Sequence, residues 1–224
     1  MMAQRFRDRT DAGRLLATHL GAYAGRPDVL VLALPRGGVP VAAEVAHALG
    51  APLDVYVVRK LGVPGQEELA MGAIATGGVR VLNDEVVAAL HIPHETIAAV
   101  AAREAQELAR REQLYRGERP APVVRGRVVL VVDDGLATGA TMRAAVAALR
   151  QQEPERLVVA VPTAAAATCE ELRAEVDEVV SVLTPEPFYA VGLWYEDFSP
   201  PSDEEIRALL ERAWHEQAAA SPES

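Results

Sequence analysis

Val128-Val129-Leu130-Val131-Val132-Asp133-Asp134-Gly135-Leu136-Ala137-Thr138-Gly139-Ala140-Thr141 joins five consecutive aliphatic residues to two carboxylates, a run of small residues and the start of a helical pattern that continues to Leu149. An apolar run without alternation predicts a strand buried on both faces. In an open α/β sheet, ligands bind beyond the carboxyl ends of such strands. Small residues let backbone N–H groups close around an anion, and a helix start adds about half a positive charge there. Thr138 and Thr141 add hydroxyl donors, while Asp133 and Asp134 can accept hydrogen bonds from a diol or hold a hydrated Mg²⁺. A sugar with a phosphate at one end and hydroxyls at the other satisfies every part of the segment. The bland alternative is a solvated acidic turn. The Walker spacing and a dinucleotide glycine fingerprint are both absent here.

The same pattern recurs outward from this segment. Val29–Leu34 is a second continuous apolar run, stopped by Pro35-Arg36-Gly37-Gly38, after which Val39–Leu49 returns to helical spacing. Leu53–Val58 predicts a further strand closed by Arg59-Lys60. Leu157–Val161 and Val179–Leu183 are strands, with a helix over Cys169–Ala174 between them. Thr10 or Asp11 can cap an N-terminal helix carrying Leu15, Leu16, Leu20 and Tyr23. Gly62–Gly72 is rich in Gly and Glu without a period and is expected to be a loop, followed by short strands at 73–76 and 79–82 about Gly77-Gly78. Pro93-His94 opens a long polar helix to about Arg116, whose Arg103, Glu107 and Arg111 stand at i,i+4 spacing. The tail from Pro185 is aromatic, with a capped helix over Ser202–Trp214. Strands without alternation, separated by helices, predict an α/β fold: a parallel sheet with helices on both faces.

Bulk composition narrows the function classes. The 224 residues are 50% hydrophobic and 24% charged, enough for a core without staples. A net charge of −10 argues against broad nucleic-acid binding. The single Cys169 excludes an internal disulfide framework and a multi-thiolate metal site. His91 and His94 are split by Pro93 and read as helix-start residues rather than metal ligands. No Gly-x-Ser-x-Gly elbow is present. With no apolar run of membrane length and no apolar leader, a soluble cytoplasmic protein is expected.

The apolar strand, the acid pair and the Thr138-Gly139-Ala140-Thr141 turn resemble the signature of the type I phosphoribosyltransferases. The resemblance implies a Rossmann-like core over residues 1–184, with a mobile loop near 60–72 and a small hood from the tail, 185–224. It implies an enzyme that transfers ribose 5-phosphate from 5-phosphoribosyl 1-pyrophosphate to a nitrogen base, releasing pyrophosphate with Mg²⁺ as cofactor. Asp133 and Asp134 would then face the ribose hydroxyls and the metal, and Ala137, Thr138, Gly139, Ala140 and Thr141 would wrap the 5-phosphate. Arg36, Gly37 and Gly38 look like the pyrophosphate loop, implying a cis peptide between Pro35 and Arg36; alone, they also fit a plain tight turn. Arg59 and Lys60 would neutralise pyrophosphate oxygens, with Lys60 in a catalytic role, or simply end a strand in solvent. Phe188 or Tyr189 would stack on the base and Glu196 or Asp197 would help hold Mg²⁺; an aromatic mini-core is the equal alternative. Ala137 stands where family members that use 6-oxopurines carry an acid, which disfavours hypoxanthine, guanine and xanthine. The rival class is a sensor of the sugar pyrophosphate or of a nucleotide that has lost catalysis. The sequence leaves the acceptor base open, and a homodimer as well.

Overall fold

Val29–Ala33 (β1) and Val128–Val132 (β6) are buried at every position, because each strand feeds two cores at once. Val29, Val31, Ala33, Val128, Leu130 and Val132 face one core, whereas Leu30, Leu32, Val129 and Val131 face the other, the two-residue period of a strand. The computed structural model describes residues 5–220, the side chain of residue 220 excepted.

Five parallel strands run in the order β2-β1-β6-β7-β8, with β2 at Leu53–Val55, β7 at Arg156–Thr163 and β8 at Glu178–Leu183. Helices α1 (Arg9–His19), α2 (Gly38–Leu49) and α7 (Asp203–Ala220) cover the first core, and α5 (Ala140–Arg150) and α6 (Ala166–Arg173) the second. This is the parallel α/β sheet with helices on both faces that the sequence predicts. Helix α1 is capped by Asp8, whose carboxylate accepts the Asp11 N–H at 2.8 Å, and not by Thr10 or Asp11.

The smaller part beside the core is a three-stranded antiparallel sheet of β3 (Val58–Val63), β4 (Gln66–Ala75) and β5 (Val79–Leu82). Two expectations are corrected here. The segment Gly62–Gly72 belongs to a β-hairpin turning at Gly65 (φ +80), where a loop was expected. Its outer half is exposed on both sides, so no alternation marks it. Leu53–Val58 is also not one strand: β2 ends at Val55 and Val58 opens the second sheet. Short α3 (Asp84–Ala89) and long α4 (His94–Arg116) then return the chain to the core.

The end of α4 is fixed by buried charge. Arg116 donates to Asp54 at 3.0 Å and to the Val55 carbonyl at 2.7 Å. The tail packs back on the core: a reciprocal Ser202–Glu205 capping box starts α7, and Trp214 Nε1 donates to the Leu53 carbonyl at 2.9 Å, covering the β2 edge. Among the described residues, no helix is long and apolar enough to cross a membrane.

Candidate active site

After β1 the chain continues to β2 on one side, while β6, β7 and β8 extend the sheet on the other. The carboxyl ends of β1 and β6 therefore form a topological switch point, where open α/β sheets bind ligands. Two loops meet there. A Cβ on Gly38 would stand 2.6 Å from the Val132 carbonyl, and one on Gly37 only 2.0 Å from Asp134 Oδ2. No side chain fits at either position, so the Pro35–Gly38 backbone lies directly against the acidic turn. The Pro35–Arg36 peptide is cis, and Arg36 is exposed.

The loop after β6 lines a cleft of about 270 Å³ with Gly135 through Met142, joined by Asp133, Lys60 and Val191. Its backbone is held from behind. Thr168 Oγ1 donates to the Ala137 carbonyl at 2.6 Å, and Arg143 donates to the Thr138 carbonyl while pairing with Glu171. In a trans peptide the N–H points opposite to the C=O, so the Thr138 and Gly139 N–H groups point away from these anchors. Among the described residues the N–H groups of Ala137 to Met142 find no acceptor within the chain. They include the orphan donors of the first turn of α5. Gly139 sits at φ +70, which favours glycine.

The two acids have different surroundings. Asp133 lines the cleft; one carboxylate oxygen accepts the Asp134 N–H at 2.8 Å. Burial, then the neighbouring Asp134, pushes its carboxyl well above the ordinary range. Asp134 points towards α1, where Arg9 Nε donates to its Oδ2 at 2.8 Å. Burial raises the Asp134 carboxyl and the Arg9 guanidinium opposes that rise. Arg9 also donates to the Ser199 carbonyl at 2.8 Å and lies 3.9 Å from the centre of the Phe198 ring. Tyr195 closes the arrangement by donating to the Asp134 carbonyl at 2.6 Å. Sequence reasoning missed Arg9 and Tyr195 as parts of this site. A faint signal existed for Arg9: a cation at the first position of a helix opposes the helix dipole, so something else must hold it there.

The remaining candidates separate. Lys60 is exposed and reaches the cleft, whereas its neighbour Arg59 donates twice to Glu104 on α4, at 3.0 and 2.8 Å. Successive strand residues face opposite sides, and the ion pair occupies Arg59 there. Tyr189 is 79% exposed and Phe188 half-buried; the tail residue lining the cleft is Val191, whose methyl lies against Gly135. Glu196 and Asp197 are exposed, their amides bound to the carbonyls of Phe6 and Arg7. Among the described residues, no cluster of three or more His, Cys, Asp or Glu is placed to hold a metal.

Comparison with known proteins fits this geometry. The phosphoribosyl transferase domain matches residues 8–193. A relative provisionally named as a phosphoribosyl transferase, found in two strains of Mycobacterium tuberculosis, is 48% identical over 215 residues, which is 96% of this chain and 48% of the relative. The chain thus spans about half the length of the curated relatives it matches. The crystal structure of TT1426 from Thermus thermophilus is 45% identical, with a TM-score of 0.84 over 93% of this chain and 99% of that one. A Neisseria gonorrhoeae protein with bound ppGpp shares the fold at 16% identity, with a TM-score of 0.50 over 95% of this chain and 98% of that one. With its acidic turn, helix-start loop and switch-point cleft, the chain belongs to the phosphoribosyl transferase domain family.

Proposed function

We propose that the cleft binds 5-phosphoribosyl 1-pyrophosphate with Mg²⁺ and transfers its ribose 5-phosphate to a nitrogen base. The observation that carries this reading is the row of amides from Ala137 to Met142 that find no acceptor among the described residues, in a loop lining a cleft that Asp133 and Lys60 also line. An anion fits the amides, a diol fits Asp133, and a second anionic group fits Lys60 and the nearby Arg36 loop. In the reaction, the bond from ribose C1 to the pyrophosphate oxygen breaks and the electron pair leaves with pyrophosphate. A nitrogen lone pair of the base forms the new bond to C1, through an oxocarbenium-like transition state, and a proton carried by that nitrogen is released to water. Lys60 and Arg36 stabilise the charge that builds on the leaving group, and Ala137–Thr141 and Asp133 hold the sugar still.

The residues present fit a hard cation that keeps most of its own water. One Asp133 oxygen takes the Asp134 N–H, and Asp133 lines the cleft; magnesium commonly uses one or two protein carboxylates plus substrate phosphates. Asp133 would hold Mg²⁺ through water, with Asp134 behind it, and the cation would supply neutralisation of pyrophosphate oxygens. Glu196 or Asp197 as a further acid, and the tail from 185 as the hood with Phe188 or Tyr189 over the base, belong to the same proposal. Ala137, with a methyl where 6-oxopurine enzymes carry an acid, favours adenine, a pyrimidine or a small amide base. A cytoplasmic enzyme suits such substrates.

The test is pyrophosphate release from the sugar pyrophosphate with Mg²⁺ across adenine, orotate, uracil, nicotinate, hypoxanthine, guanine and xanthine. Turnover with at least one base is expected. Tight binding of the sugar pyrophosphate without turnover would place the chain in the sensor class instead, and absence of binding would reject the assignment.

A further inference from the structure

We propose that Arg9 is a positioning residue: it holds Asp134 as a strut beneath the Pro35–Gly38 loop. The inference rests on the reading of the cleft as a sugar-pyrophosphate site and extends it to a residue that touches no substrate.

Three restraints fix the guanidinium: the Asp134 carboxylate, the Ser199 carbonyl and the face of Phe198. Arg9 and Asp134 are 10% and 15% exposed at their side chains, so the pair is almost dry. A planar guanidinium with fixed N–H directions sets the orientation of its partner as well as its charge. That orientation matters because Asp134 Oδ2 occupies the space a Gly37 side chain would need. The carboxylate is therefore the surface on which the leaving-group loop rests. If Asp134 turned, the support under Gly37 would go. Pairing Asp134 with Arg9 prevents this. The loop supporting the 5-phosphate is anchored separately, by Thr168 and Arg143 on the α5–α6 side. The inference thus separates two functions: Arg9 governs the pyrophosphate end and leaves the phosphate end alone.

The experiment is a double-mutant cycle of Arg9→Met and Asp134→Asn, with Arg9→Lys alongside. Calorimetric Kd values are measured for 5-phosphoribosyl 1-pyrophosphate with Mg²⁺ and, separately, for inorganic phosphate. Arg9→Met is expected to weaken the sugar pyrophosphate by roughly tenfold or more, with phosphate affinity within about twofold of wild type. Arg9→Lys, which keeps the charge without the fork, should fall between. The double variant should bind no more weakly than the worse single variant, because Arg9 acts through Asp134. It also removes the uncompensated buried carboxylate, so it carries the test even if Arg9→Met folds poorly. Losses that multiply in the double variant, an Arg9→Met protein that binds like wild type, or an equal loss of phosphate affinity would each overturn the inference. If the wild type binds the sugar pyrophosphate and the cycle multiplies, only the role of Arg9 fails. If the wild type binds phosphate but no sugar pyrophosphate, the functional reading fails and the role of Arg9 falls with it.

Discussion

The methyl of Thr168 lies 2.7 Å from the point where a Cβ on Gly139 would stand, and the hydroxyl of the same residue holds the Ala137 carbonyl at 2.6 Å. One buried threonine on α6 thus sets both the closeness and the direction of the helix-start loop. Gly139 is required twice over, by its positive φ and by this contact.

Gly139→Ala is expected to lower stability by about 1–3 kcal/mol and to weaken binding of inorganic phosphate and of the sugar pyrophosphate together. Thr168→Val keeps the shape and loses the donor, and should lower stability by about 1 kcal/mol with a smaller parallel loss of affinity. Thermal unfolding and calorimetry check both. Unchanged phosphate affinity in Gly139→Ala would remove the loop from the anion site.

Asp133 gives a pH prediction. Its folded-state carboxyl is raised by burial and by Asp134, whereas an unfolded Asp titrates near 3.9. The folded protein therefore binds the proton more tightly. The contribution of this group is most favourable below the unfolded pKa, and stability declines as pH rises from there through the raised folded value. Asp133→Asn abolishes that decline and can still accept the Asp134 N–H. The variant should melt above wild type at pH 7–8, with the difference closing towards about pH 4, and should lose the stabilisation that the proposed function expects the sugar pyrophosphate with Mg²⁺ to give wild type. Melting curves across pH, with and without ligand, decide it.

How much of this was legible beforehand follows from what each residue's neighbours are. β1, β6 and α5 bury their whole apolar pattern in local elements, so their sequence announces them, and the acid pair falls where the pattern stops. The β3–β4 ribbon buries only its inner half, so its hydrophobic period is lost in the exposed Gln66-Glu67-Glu68-Leu69. Arg9 and Asp134 are 125 positions apart, and no local rule pairs them. Strand alternation carried one step past Val132 would have sent Asp133 and Asp134 to opposite sides, and one step past Val58 would have separated Arg59 from Lys60. Both signals were present in the sequence and needed the second layer of structure to acquire a meaning.

Arg116 and Asp54 form a buried pair with side chains only 3% and 11% exposed. Arg116→Met strands the Asp54 carboxylate, already raised by burial, and should lower stability by about 3–5 kcal/mol at pH 7. Asp54→Asn added to it should recover much of the loss. The deficit of the single variant should shrink at acid pH, because protonation removes the unpaired charge. Urea unfolding at pH 7 and pH 5 measures all three. A deficit that grows at pH 5 would point to lost packing of the Arg116 stem rather than the stranded charge.

Arg59 and Lys60 provide the sharpest contrast between neighbours. Their strand partners are Ile74 and Ala73, and their side chains leave β3 on opposite sides. Arg59 meets Glu104, whose side chain is 11% exposed, and Lys60 meets the cleft. Under the proposed reaction, Lys60→Met removes a charge that would face the leaving group, so kcat/KM for pyrophosphate release should fall about 100-fold. Its melting temperature should barely move, since an exposed side chain with no buried partner contributes within about 0.5 kcal/mol. Arg59→Met leaves Glu104, among the described residues, with only Arg103, at 3.2 Å, and should lower stability by about 1–3 kcal/mol. Its effect on kcat/KM should be the smaller of the two, transmitted by a looser hairpin that carries Lys60. Restoring the pair in reverse, with Glu104→Lys and Arg59→Glu, should recover part of the stability while keeping the rate loss small. If instead Arg59→Met matches Lys60→Met in its loss of rate and melts like wild type, Arg59 leaves Glu104 during turnover and reaches the pyrophosphate itself.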